Sequence, residues 1–365
     1  MGALTFRFLE DGAQTAADVV ASITSFIASA ERTLDVAIYD FHARTGASAG
    51  IADALEAALA RGVAVRVAFN VDRNDAPSAP RPMASEPAQI DGLEVPTHGV
   101  HDQGALMHHK YVVVDGARVL TGSTNWTDDA FTREENVIVE AEDAGLAAAY
   151  TANFEELWRK SRLDRTGSRG ATVAMDHDVS VTPWFLPTPP SVAHLTADRI
   201  GEAKRRLRIC SPVVTSGTVL GTLAEFAGRT NFDLAGVYDA TQMEEVKRQW
   251  AKVPWNLWKI EAWNAIAWRL SGKVSTPYRP GSVHDYMHAK FVVADDEVLV
   301  GSYNLSRGGE ENAENVLHVV NEEVAVNLSA FADRLAARYA RPGAGATPAG
   351  SSAAGHTAAR GHQPQ

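Results

Sequence analysis

One spaced pattern, present twice, constrains this chain more than anything else in it. The first copy runs His108, Lys110, Asp115 and then Gly122-Ser123-Thr124-Asn125. The second runs His288, Lys290, Asp295 and then Gly301-Ser302-Tyr303-Asn304. Each reads His-x-Lys, four residues, Asp, then Gly-Ser-x-Asn. Ten residues after each Asn comes an acid–amide pair, Glu135-Asn136 or Glu314-Asn315. Repetition of so long a pattern predicts two homologous halves that build one site where they meet.

The rest of the chain fits two large units. Leu34–Phe41 reads as a strand, Ile51–Arg61 as a helix stopped by Gly62, and Val63–Phe69 as a second strand, a rhythm that predicts α/β architecture with a sheet covered by helices. Ile200–Cys210 echoes Ile27–Ala37, and Trp184-Phe185-Leu186 echoes Arg7-Phe8-Leu9. The offsets drift along the chain, so loops differ in length between halves. We expect a first domain over residues 1–165, a linker over 166–182, a second domain over 183–341 and a disordered tail over 342–365. The Pro-rich stretch Asp72–Asp91 reads as a surface excursion rather than a lid.

Composition excludes little and orders the alternatives. The formal net charge of -11 counts against a broad duplex-binding face without forbidding a local basic groove. Cys210 is the single cysteine, so no disulfide forms within the chain. No stretch reaches eighteen uninterrupted apolar residues, and the N-terminus lacks a secretory layout; a cytoplasmic protein is expected. Trp250, Trp255, Trp258, Trp263 and Trp268 cluster before the second motif. Core and inter-domain packing is the reading favoured for them, with a membrane-interface or stacking surface as the alternative.

Strand geometry then gives the motif its chemistry. Residues two apart share a face, so His108 projects with Lys110, His288 with Lys290, Ser123 with Asn125 and Ser302 with Asn304. Gly122 and Gly301 would permit close backbone approach where a ligand sits. Two imidazoles, two ammonium groups, two hydroxyls and two amides suit a phosphodiester, whose nonbridging oxygens Lys and Asn would hold. One histidine attacks phosphorus and the other shuttles the proton. Sequence symmetry does not distinguish them, though His108 is favoured as the attacking ring. Glu135 and Glu314 are the natural carboxylates to orient the two rings. Asp115 and Asp295 end apolar strands where hairpins turn, so a structural role is expected of both. A zinc site around His284 and His288 is disfavoured, and no cofactor or metal is expected.

These residues resemble the phospholipase D superfamily, whose members carry His-x-Lys-x4-Asp followed by Gly-Ser-x-Asn. The resemblance spans residues 1 to about 340. It implies a mixed sheet flanked by helices in each half, with the active site at a pseudo-twofold interface. It also implies metal-independent phosphodiester cleavage through phosphohistidine, with no partner chain needed, so that a monomer suffices. Family substrates include phospholipid headgroups and nucleic acids. Phospholipid hydrolysis with peripheral membrane contact is the first expectation, and nucleic-acid cleavage by the same site the alternative. Transfer to an alcohol and a noncatalytic phosphate-binding scaffold rank below both.

Overall fold

The computed structural model describes residues 2–71, 89–90, 92–102, 104–160, 162–163, 165–187, 191–279 and 281–340. The first half contributes β1 (Ala3–Leu9), β2 (Thr33–Ile38), β3 (Ala64–Asn70), β4 (Thr97–Val100), β5 (Lys110–Val114), β6 (Arg118–Gly122) and β7 (Asn136–Glu142). They form one sheet in the order β1-β7-β6-β5-β2-β3-β4. Strands β2 and β3 pair in parallel because the helix Ala49–Ala60 carries the chain back between them. The hairpin partners β5 and β6 run antiparallel.

The second half contributes β8 (Ser168–Arg169), β9 (Val173–Ala174), β10 (Ser180–Phe185), β11 (Arg206–Ser211), β12 (Asp233–Asp239), β13 (Ser271–Lys273), β14 (Phe291–Ala294), β15 (Glu297–Gly301) and β16 (Asn315–Val320). Its sheet runs β13-β12-β11-β14-β15-β16-β10-β8, with β9 also on β10. Strand for strand, β10, β16, β15, β14, β11, β12 and β13 take the places of β1, β7, β6, β5, β2, β3 and β4. The stretch 166–182 is more than a linker, since β8 and β9 extend the second sheet through β10. The expected excursion Asp72–Asp91, apart from residues 89 and 90, and the expected tail 342–365 lie outside the described residues.

Three apolar clusters hold these layers. The central one joins both halves: it packs Leu146, Tyr150, Phe154 and Leu157 of helix Ala144–Lys160 and Leu328, Phe331 and Leu335 of helix Glu322–Arg338 with inward residues of both sheets. Phe8 of the first half stacks on Phe331 of the second with ring centroids 4.5 Å apart. The outer faces carry one cluster each, under helices Ala16–Ala28 and Ala49–Ala60 on one side and Val192–Glu202 and Gly217–Ala224 on the other. With a shared centre, the two halves form one folding unit rather than beads on a string.

The tryptophans divide. Trp250 and Trp263 belong to the outer core of the second half, and none of the five joins the central cluster. Trp255, Trp258 and Trp268 are exposed at 78%, 45% and 54%. Inter-domain packing is therefore not their role.

Candidate active site

Each motif histidine is held by the half it does not belong to. The His108 amide donates to Ala313 O at 2.9 Å, and the His288 amide donates to Glu135 O at 3.2 Å. Side chains cross in the same way. His108 Nδ1 lies 2.9 Å from both carboxylate oxygens of Glu314. His288 Nδ1 lies 3.0 Å from Asn136 Oδ1 and 3.3 Å from Glu134 Oε2. His108 is buried and His288 partly so, and each feels the ammonium groups of both Lys110 and Lys290, so the four side chains converge on one region.

Glu314 stands where the sequence placed it; Glu135 does not. Glu135 turns away from His288 and accepts from Lys273 Nζ at 2.8 Å and from the Tyr339 hydroxyl. The cause is a one-residue slip. Ser123 N donates to Val137 O and Ser302 N to Asn315 O, each at 3.0 Å, so Val137 is the counterpart of Asn315 and Asn136 that of Glu314. In a strand, a slip of one residue moves every side chain to the opposite face. The recurring Glu-Asn dipeptide concealed it. Alternation would have exposed it: Val137 and Val139 face the shared core in one half, Leu317 and Val319 in the other.

Correcting the register uncovers an exchange. The first half carries Glu134 and Asn136; the second carries Asn312 and Glu314 in the same places. In both, the Asn Nδ2 donates to the Glu carboxylate, at 3.2 Å and 3.3 Å. The acid–amide pair has reversed its order, and the two rings rest on unlike groups. Sequence reasoning missed Glu134, Asn136 as a ring partner, and Asn312.

The remaining motif residues fall into place around this frame. Lys110 Nζ donates to His108 O at 2.9 Å and Lys290 Nζ to His288 O at 2.6 Å, which fixes both ammonium groups beside the rings. Ser123 Oγ donates to Asn136 Oδ1 at 2.7 Å, and Ser302 Oγ to Glu314 Oε2 at 2.6 Å. The serines are fully buried and lock the groups behind the rings rather than facing a ligand. The side-chain oxygens of Asn125 and Asn304 are buried and accept no hydrogen bond among the described residues. Gly122 and Gly301 serve the neighbouring strand, not a ligand: a Cβ would lie 2.0 Å from Val137 O and 2.1 Å from Asn315 O.

Asp115 and Asp295 sit at the hairpin turns and bind backbone. Asp115 adopts φ 54 and accepts backbone N–H bonds from Glu31, Arg32 and Thr33 at 2.9, 2.7 and 2.8 Å. Asp295, also at φ 54, does the same for Lys204, Arg205 and Arg206 at 2.9, 2.8 and 3.0 Å. Each ties its turn to the start of the neighbouring strand.

Electrostatics within the site favour neutral rings. Burial, then the fields of Lys110 and Lys290, push His108 well below the ordinary imidazole value, and the same forces act on His288. Burial also pushes Glu134 up to about 8 and Glu314 up to about 7, and lowers Lys110 to about 7. An entering anion offsets the ammonium field and favours imidazolium. Among the described residues, no group of three or more His, Cys, Asp or Glu side chains is placed to hold a metal ion.

A family model described as "Cardiolipin synthase, PLD-like domain" matches residues 23–158 and 196–336. The chain belongs to the phospholipase D superfamily. It is similar to mitochondrial cardiolipin hydrolase of Xenopus laevis, 37% identical over 132 residues that cover 36% of this chain and 57% of that protein. The protein of the same name in Homo sapiens is 30% identical over 134 residues, covering 36% of this chain and 48% of its own length. The chain thus spans about half the length of these relatives. The crystal structure of phosphatidylserine synthase from Haemophilus influenzae superposes with a TM-score of 0.65 at 14% identity, covering 91% of this chain and 86% of that one. At that identity the likeness is one of fold. It extends over both halves of this phospholipase D superfamily member.

Proposed function

We propose that this chain is a phosphodiesterase that hydrolyses a phospholipid headgroup through a covalent phosphohistidine, without a metal. The observation that carries the reading is the crossed pair of imidazoles, each backed at Nδ1 by the opposite half and flanked by both ammonium groups. In the first step Nε2 of one ring bonds to phosphorus while the other ring protonates the departing oxygen. In the second, that ring takes a proton from water, the water oxygen attacks phosphorus, and the phosphorus–nitrogen bond breaks. Lys110 and Lys290 stabilise charge growing on the nonbridging oxygens. Asn125 and Asn304 can turn their amide N–H groups to those oxygens without giving up a bond at Oδ1. His108 is the attacking ring in this reading, because the Glu314 carboxylate holds its Nδ1–H and offsets the positive charge it gains on bonding to phosphorus.

Two surface features favour lipid over nucleic acid. Trp255, Leu257 and Trp258 form an exposed prong. Lys252 and Lys259 flank it, an arrangement suited to an anionic lipid interface. The prong lies at the site end of the second sheet: Lys259 Nζ donates to Thr215 O at 3.3 Å, and Thr215 N donates to Leu305 O, next to Asn304, at 2.8 Å. The basic run Lys204-Arg205-Arg206 sits at the opposite end of β14, where Arg205 and Arg206 pair with Asp296. The names of the relatives in Xenopus laevis and Homo sapiens support the lipid reading too. The test is purified protein in EDTA presented with phosphatidylcholine vesicles, cardiolipin vesicles and single-stranded DNA. Headgroup release without DNA cutting is expected. DNA cutting without lipid hydrolysis selects the nuclease, and activity only after metal is restored removes the metal-free step.

A further inference from the structure

The reversed acid–amide order leaves His288 without a carboxylate at the place where His108 has one. Asn136 Oδ1 fills that place and is itself held by Ser123, so it can accept the Nδ1–H of His288 but carries no charge. An amide alone orients an imidazole; it does not balance an imidazolium. A carboxylate arrives instead from two residues earlier. Glu134 Oε2 lies 3.3 Å from His288 Nδ1, tied to Asn136 by a 3.2 Å hydrogen bond.

Glu134 has little else to do. Its side chain is 4% exposed, and among the described residues His288 is its one ion-pairing partner within 4 Å. Burying a carboxylate without a charged partner is costly, so a chain that keeps one at such a position gains something from the imidazole beside it. The neighbouring Glu135 cannot substitute, being committed to Lys273 and Tyr339. Lys290, Lys273, Lys110, Asp40 and Tyr286 also interact with Glu134 electrostatically.

We propose that Glu134 is a positioning residue for His288: the two side chains hold one proton between them, which His288 delivers from Nε2 to the leaving oxygen and recovers from water. This rests on the two-step phosphodiesterase reading and adds the division of labour within it. In the resting site the proton resides in the Glu134–His288 pair, on either member. When the bond from phosphorus to the leaving oxygen breaks, the proton leaves with that oxygen, and the pair becomes a carboxylate beside a neutral ring hydrogen-bonded to Asn136. Attack by water returns a proton to Nε2 and restores the pair. His108 and Glu314, the opposite set, remain with the nucleophile.

The test is the leaving-group dependence of the Glu134→Gln variant, which keeps the volume of the side chain and a bond from Asn136. Bis(4-nitrophenyl) phosphate releases a good leaving group that departs without a proton; diphenyl phosphate releases a poor one. In kcat/KM, which reports steps up to release of the leaving group and not the later attack by water, the variant should stay within about threefold of wild type on the first substrate and lose roughly 10²-fold on the second, the scale of general acid catalysis. Glu134→Asp should recover part of that loss. Equal losses on both substrates, or none on either, overturn the proposal, because a purely structural fault is blind to the leaving group. A pre-steady-state burst of one equivalent of 4-nitrophenolate in wild type tests the covalent reading separately. A burst without the leaving-group effect sinks the role of Glu134 alone. The effect without a burst sinks the phosphohistidine and spares Glu134.

Discussion

Lys273 reaches from the second half to Glu135 of the first, Nζ to Oε2 at 2.8 Å, with both side chains buried. The same ammonium donates to Arg133 O at 2.7 Å, and the Tyr339 hydroxyl takes the other carboxylate oxygen. A glutamate whose spacing pointed to catalysis is thus a fastener between halves. A buried pair of this kind adds little net stability when formed but is costly to break from one side, since one charge is then left alone.

Lys273→Met should therefore destabilise by about 3–5 kcal/mol in urea unfolding. Adding Glu135→Leu should recover much of that loss, because the carboxylate then left without Lys273 is Asp11, 3.4 Å from Nζ and part-exposed to water, rather than the buried Glu135. A double variant no more stable than the single one would show that the pair is not coupled.

His108→Ala and His288→Ala should each reduce phosphodiester hydrolysis by at least roughly 10²–10⁴-fold with an unchanged circular dichroism spectrum. Turnover in either variant near the wild-type rate would reject the two-histidine site.

Asp115→Ala removes the acceptor for three backbone N–H groups and leaves alanine at positive φ. A loss of about 1–3 kcal/mol in stability is expected, with KM on a soluble phosphodiester unchanged. Asp295→Ala should behave alike, and a change in KM without a change in stability would contradict the structural role.

Proton uptake should accompany anion binding. Both rings have folded-state pKa values held below the ordinary 6.5, so the folded chain binds fewer protons than the unfolded chain between those values, and this contribution to stability is lost as pH falls below 6.5. Glu134 and Glu314 act oppositely, their raised values costing stability as pH rises from 4.5 toward about 8 and about 7. Sulfate bound beside Lys110 and Lys290 favours imidazolium, so the rise in Tm it produces should grow as pH falls from about 7.5 to about 5.5. In His108→Ala/His288→Ala that growth should shrink, leaving the part carried by Lys110 and Glu314, both held at about 7; a rise in Tm independent of pH in wild type would contradict the coupling.

Trp255→Ala/Trp258→Ala should abolish co-sedimentation with anionic vesicles and slow hydrolysis of vesicle lipid by roughly tenfold or more, about 1.4 kcal/mol or above. Activity on bis(4-nitrophenyl) phosphate should be retained. Equal vesicle binding by variant and wild type would remove the prong from lipid contact.

Much of this was readable from residues alone, for identifiable reasons. The repeat implied that two sets must meet, but the strand period did not carry the motif. Strands β5, β6, β14 and β15 span Lys110–Val114, Arg118–Gly122, Phe291–Ala294 and Glu297–Gly301, so both histidines, Lys290, both serines and Asn125 and Asn304 lie just beyond strand ends, and the serines turn to Asn136 and Glu314. The hairpin role of Asp115 followed from its place between apolar runs. What escaped was register. His288 trails His108 by 180 positions, Gly301 trails Gly122 by 179, and Glu314 trails Asn136 by 178. Each shortened loop shifts the match by one, and the dipeptide at Glu135-Asn136 supplied a false anchor in the last interval. The exposure of Trp255 and Trp258 was equally hidden, because five tryptophans at close spacing read the same whether they fill a core or leave it.

The slip has a consequence for ancestry. Two identical copies meeting about an axis would lend each other the same residue, so neither imidazole could be specialised relative to its twin. Joining the copies in one polypeptide lets each drift alone, and a single lost position was enough to set an amide opposite an acid. What looks like a blemish in the repeat is what makes the two halves non-interchangeable: a carboxylate backs one ring and an amide the other.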